Sequence, residues 1–121
     1  MPSSILARLY AALAWLLAGV SALHMATTWR LTSASSFTRV WFFGAGLAMA
    51  QAAALNLLHR RYGRALPGLR WTTRAFNAVM LAFAAVAGIA TGASIPELIV
   101  LLGLLAGVLL LSFSTAAHPS P

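Results

Sequence analysis

Cysteine, lysine and aspartate are absent from this 121-residue chain, and Glu97 is its only acid. Without cysteine there is no disulfide, no thiol nucleophile and no thiolate metal site. A single carboxylate supplies neither an acid and base pair nor an acid to orient a serine and histidine, so Ser21 and His24, three apart in one run, have nothing to complete them. The same shortage removes hydrolytic zinc and carboxylate-bridged metal sites. Charge of any kind is scarce: 7% of residues are charged and 61% hydrophobic, with a mean hydropathy of +0.88, against about 25% charged in ordinary soluble domains. So few polar residues cannot cover an aqueous surface, which excludes a soluble fold. The apolar surface has to meet lipid or other helices.

What is present is organised in four apolar runs, at residues 6–28, 40–58, 75–93 and 96–114. Each is about 19 residues or longer, enough at ~1.5 Å per residue to cross a hydrocarbon layer ~30 Å thick. The chain reads as all-α: a single integral membrane domain, a four-helix bundle of four transmembrane helices. The first break holds Ser33-Ala34-Ser35-Ser36, whose last serines can cap the second helix. The second break, residues 59–74, is the longest loop and is basic, with Tyr62-Gly63 and Pro67-Gly68 as turn formers. The third is a tight turn at Thr91-Gly92-Ala93-Ser94, and Ser94-Ile95-Pro96-Glu97 then reads as a capping box with proline in the first turn. Helices three and four therefore form an antiparallel hairpin, and Glu97 is a helix-start residue.

All eight basic residues are arginine, giving a formal charge of +7. They flank apolar spans, as membrane topology requires, and no reading or stacking groups accompany them, so nucleic acid is not an expected partner. Six of them (Arg8, Arg60, Arg61, Arg64, Arg70, Arg74) lie on one side and two (Arg30, Arg39) on the other. The bias places both termini and the basic loop in the cytoplasm, and the chain as a multi-pass protein of a bacterial inner (plasma) membrane. A competing reading of the start is a signal peptide, with an apolar stretch after Arg8 and small residues at Val20-Ser21-Ala22; the run, however, continues through Met25 and is long enough to span. Arg60, Arg61, Arg64, Arg70 and Arg74 are candidate contacts for anionic lipid head groups. Trp29, Trp41 and Trp71 fall near span ends and fit interfacial belts, whereas Trp15 is deep and is expected to pack between helices.

Helices in lipid associate through small residues and through polar groups that bond across the interface. On the second helix Gly44, Ala48, Ala52 and Asn56 recur every four residues with Gln51 beside them, an expected inward face. Asn77, Ala84, Gly88 and Thr91 form a similar stripe on the third helix, and Ala11, Ala14, Ala18 and Ser21 on the first; the fourth has Gly103 and Gly107. Asn56 sits just before the end of its span and Asn77 just after the start of its own, so the two amides are expected at one depth and hydrogen-bonded. His24, near the outer end of the first helix, has two readings: a neutral imidazole bonded to water or Ser21, or a ligand or proton site. His24 and His59 belong to opposite ends of the bundle and cannot ligate one haem together, His118 is in the tail, and no cofactor is expected.

In length, helix number and the run from Gly103 to Ser112 with Gly107 inside it, the chain resembles the small multidrug-resistance transporters. The resemblance implies a membrane-embedded glutamate in the first helix, and this first helix has none, so proton coupling through a buried acid does not carry over. The expected function is accordingly non-enzymatic: an accessory or small subunit of a membrane complex, acting with a membrane-protein partner or as a homo-oligomer in the lipid bilayer. The alternative is a carrier or binder of a small apolar or amphipathic molecule, with His24, Gln51, Asn56 and Asn77 lining an intramembrane polar site. A cavity near Gln51 would be its mark.

Overall fold

The structure, a computed structural model, describes residues 2–114, with side chains from Ile5 onward; the tail that carries His118 lies outside the described residues. Four helices follow one another: α1 (Pro2–Thr27), α2 (Ser36–Tyr62), α3 (Pro67–Thr91) and α4 (Ile95–Ser112), with a short 3-10 turn at Thr28–Arg30 after α1. Each packs on its neighbours in the chain, and α1 also packs on α4, so the four close into a ring. All four are long and apolar enough to cross a bilayer.

The ends are set by local chemistry. Ser35, in extended conformation, accepts the Thr38 N–H at 3.1 Å and starts α2. Gly92, at φ 68°, takes the left-handed conformation that closes α3, with the Ala93 N–H returning to the Gly88 carbonyl at 2.9 Å. The Glu97 carboxylate then accepts from the Ser94 N–H at 2.9 Å and the Ser94 hydroxyl at 2.7 Å, starting α4 and making the expected hairpin.

The basic connection is much shorter than the sequence implies. α2 runs on to Tyr62 and α3 begins at Pro67. Arg60 and Arg61 continue α2 because cations at a helix C-terminus complement its exposed carbonyls, and His59 is carried inside with them. Pro67 occupies the first turn of α3, where a missing N–H is harmless, so Pro67-Gly68 begins a helix instead of making a turn. Arg70 braces the remaining link by donating to the Gly63 carbonyl at 3.2 Å and the Arg64 carbonyl at 3.3 Å.

Burial is inverted relative to a soluble protein. Tyr10, Asn56, His59, Thr73, Asn77 and Ser112 are fully enclosed, together with a narrow apolar core that includes Leu17, Met49, Ala52, Leu105 and Val108. Along the spans many outward side chains are apolar, among them Leu23, Val40, Val79, Val86 and Ile89. A surface of that character is covered by lipid or by another protein.

The expected stripes are partly redrawn. Ala52 and Asn56 point inward, but Gly44 lies on the outside with open space around it. A row of every fourth residue drifts about 40° per step, so about 120° of rotation separates Asn56 from Gly44. Thr91, at the end of α3, is also exposed. Trp15 is 65% exposed and does not pack between helices; the positions α1 buries at that level are Ala14 and Leu17.

Candidate functional site

The polar heart of the molecule lies toward the end that carries most of the arginines. Asn56 on α2 and Asn77 on α3 face each other as expected, with Asn56 Nδ2 donating to Asn77 Oδ1 at 2.8 Å and Asn77 Nδ2 donating to Asn56 Oδ1 at 2.9 Å. Two residues that the sequence reading had not placed there complete the group. The Tyr10 hydroxyl, from α1, donates to Asn56 Oδ1 at 2.7 Å and lies 2.8 Å from His59 Nδ1. The Tyr10 and His59 rings meet edge to face, 5.9 Å apart. Three helices are thus joined through four side chains, none of them exposed.

The direction of each proton in this network follows from one backbone group. The Ala52 carbonyl can only accept, and Asn56 donates to it at 2.7 Å, which fixes which end of the Asn56 amide is nitrogen. Asn56 Oδ1 must then face Tyr10, and the single Tyr10 proton goes to that oxygen. Toward His59, Tyr10 can only accept, so Nδ1 carries a proton. Asn56 thereby fills both donor and both acceptor positions of its amide, leaving no hydrogen-bonding capacity there for a ligand.

His59 owes its placement to Gly63. The Gly63 N–H donates to the His59 carbonyl at 2.7 Å, and the imidazole lies over the glycine: a Cβ there would stand 2.9 Å from Nε2 and would collide with Cδ2 and the carbonyl oxygen of His59. Asn56, His59 and Gly63 are spaced three and four apart on one face of α2, and that spacing is the signal in the sequence that could have found them.

The remaining predicted residues are elsewhere. His24 is partly buried near the opposite end, its ring stacked on Phe42 at 3.7 Å between centroids and 17° between planes. Ser21, a suggested partner for His24, instead donates to the Gly46 carbonyl at 2.8 Å. Gln51 is exposed on the outer side of α2. His24, Gln51 and the Asn56–Asn77 pair therefore do not line a common space. An open apolar groove of about 520 Å³ on the outside of α1, lined by Ala12, Trp15, Leu16, Gly19, Val20 and Leu23, includes none of them.

Several of the basic residues bond within the fold. Arg60 Nε donates to the Ala7 carbonyl at 3.2 Å, tying α2 to α1. Arg70 braces the α2–α3 link, and Arg74 donates to the Ser112 carbonyl at 3.1 and 2.9 Å while lying 4.5 Å from the Phe113 ring and 5.4 Å from the Trp71 ring. Arg61 and Arg64 are exposed. Comparison with protein families, with curated proteins and with solved structures finds no match to this chain.

Proposed function

We propose that this chain is a multi-pass protein of a bacterial plasma membrane, with its termini on the cytoplasmic side, acting as a non-enzymatic accessory or small subunit through association with other membrane proteins. What carries the reading is the distribution of polar groups: the buried amides, hydroxyls and imidazole bond to one another and to backbone carbonyls, so the interior is a clamp, while the outer faces are apolar. A protein that transforms or carries a polar ligand keeps some of those groups turned toward a cavity. Here, function falls to the exterior. The arginine bias of six to two supports the cytoplasmic assignment of the basic end.

Native mass spectrometry of the protein released from its own membranes in mild detergent tests this. Stoichiometric protein subunits are the expected result. A lone monomer carrying a defined small molecule would transfer the case to a carrier.

A further inference from the structure

The outer face of α2 carries a feature the interior does not explain. Gly44, Leu47, Gln51, Ala54 and Leu58 succeed one another at intervals of three, four, three and four, and all are exposed. That is a heptad seam, the pattern by which one helix presents a continuous edge to another. Met49 is the middle residue of the 27-residue α2, so Gln51 stands two residues from the centre of the span, turned away from the bundle. Ser21, Asn56 and Asn77 all turn inward to partners, whereas Gln51 makes no hydrogen bond among the described residues. A carboxamide facing hydrocarbon without a partner is costly.

We propose that a second copy of this chain covers this seam, with α2 packed parallel to its symmetry mate and the two Gln51 carboxamides bonded to each other at the two-fold axis. The proposal rests on the membrane-association reading above and names the surface and the partner.

Three observations select a second copy. A carboxamide is its own complement, since it both donates and accepts, and Asn56 and Asn77 already form such a reciprocal pair inside this molecule. A two-fold interface brings each residue on the axis against itself, so Gln51 meets the one group able to satisfy both of its halves. Among the described residues no other outward group near mid-span can do so: the outward positions on α3 (Val79, Phe83) are apolar, Gly103 on α4 has no side chain, and exposed Trp15 on α1 offers only an indole donor. Gly44 and Ala54, on the same edge, let two backbones approach closely, with nothing within 4 Å of the Cβ that Gly44 lacks.

The natural absence of cysteine makes the test direct. Single cysteines are introduced on the seam (Leu47→Cys, Ala54→Cys) and off it (Val79→Cys on α3, Ile99→Cys on α4), and the full chain is oxidised in native membranes. Disulfide-linked dimers are expected from the seam positions and not from the others. Gln51→Leu in the Ala54→Cys background is expected to weaken dimerisation roughly three- to thirtyfold, whereas Trp15→Phe leaves it unchanged. Because Gln51 is exposed and makes no side-chain hydrogen bond among the described residues, helix content and thermal unfolding of the Gln51→Leu monomer in detergent are expected to match the parent. Cross-linking that is equal at all four positions, or undiminished by Gln51→Leu, overturns the proposal. A different protein bound stoichiometrically in place of a second copy also overturns it while leaving the association reading intact; a monomer with no protein partner ends both.

Discussion

Replacing Asn56 by leucine keeps the branched shape of the side chain but removes every bond the amide makes. The cost is not the sum of those bonds. The Tyr10 hydroxyl can rotate toward His59 if the imidazole proton moves from Nδ1 to Nε2, and the Ala52 carbonyl retains its helical partner. Asn77 has no such recourse: both its Oδ1 and its Nδ2 face only Asn56 within the network. Leaving buried groups unsatisfied costs ~1–3 kcal/mol each, and interhelical bonds in membrane proteins average ~0.6 kcal/mol with a maximum near ~1.7, because the unfolded chain in lipid also finds partners. Asn56→Leu is thus expected to destabilise the bundle by about 2 kcal/mol, and Asn77→Leu by about 1 kcal/mol, since Asn56 keeps Tyr10 and Ala52. The double variant removes both halves of the pair and creates no stranded amide, so it is expected to be no less stable than Asn56→Leu alone, with a coupling of about 1 kcal/mol. Reversible unfolding in mixed micelles, followed by far-ultraviolet circular dichroism, measures all four corners of the cycle. Strict additivity of the two substitutions would refute the reciprocal pairing.

The proton assignment predicts that nitrogen NMR finds His59 protonated at Nδ1, and that Tyr10→Phe, which removes the accepting oxygen, lowers the Nδ1–H population; an unprotonated Nδ1 in the parent would contradict the network. Gly63→Ala is expected to cost about 1–3 kcal/mol because the obstacle is partly the His59 carbonyl, which cannot rotate away. Gly19→Ala, in open space within α1, is expected to be neutral or to gain up to about 1 kcal/mol in the same unfolding assay. Arg74→Ala releases the Ser112 carbonyl and is expected to speed amide hydrogen exchange in the last turn of α4, leaving the first turn of α2 unaffected.

The helix count, the caps at Ser35 and Glu97 and the Asn56–Asn77 pair were legible in the sequence because each depends on chemistry within a few residues or on depth along a span. Errors arose where a second coordinate was needed. A row of every fourth residue gave the right face near Asn56 and the wrong one a dozen residues away at Gly44, because the drift per step is small but accumulates. Gln51 was grouped with that row by proximity in sequence, yet one position along a helix is about 100° of rotation. Hydropathy ended α2 at Leu58, where apolar residues stop, whereas hydrogen bonding carries the helix one turn further and brings His59 inside. Tyr10 was missed because only pairing with α2 gives its hydroxyl a purpose.

The arrangement of bonds along the bundle bears on how the protein works. Side-chain links between helices concentrate at the basic end: Tyr10 to Asn56 and His59, Asn56 to Asn77, Arg60 to the Ala7 carbonyl and Arg74 to the Ser112 carbonyl. Toward the other end the links between α1 and α2 are one hydroxyl on a carbonyl, Ser21 to Gly46, and one ring stack, His24 on Phe42. Carriers that expose a central site alternately to each side depend on helices that separate at both ends in turn, and here one end is clamped across all four helices by directional bonds. A rigid base with an uncommitted exterior suits a subunit that is held by its neighbours. Among the described residues, the one polar group on that exterior at mid-span depth with both donor and acceptor is Gln51, and its position on a heptad edge is what the proposed contact between subunits rests on, while the amides inside join the helices of one chain.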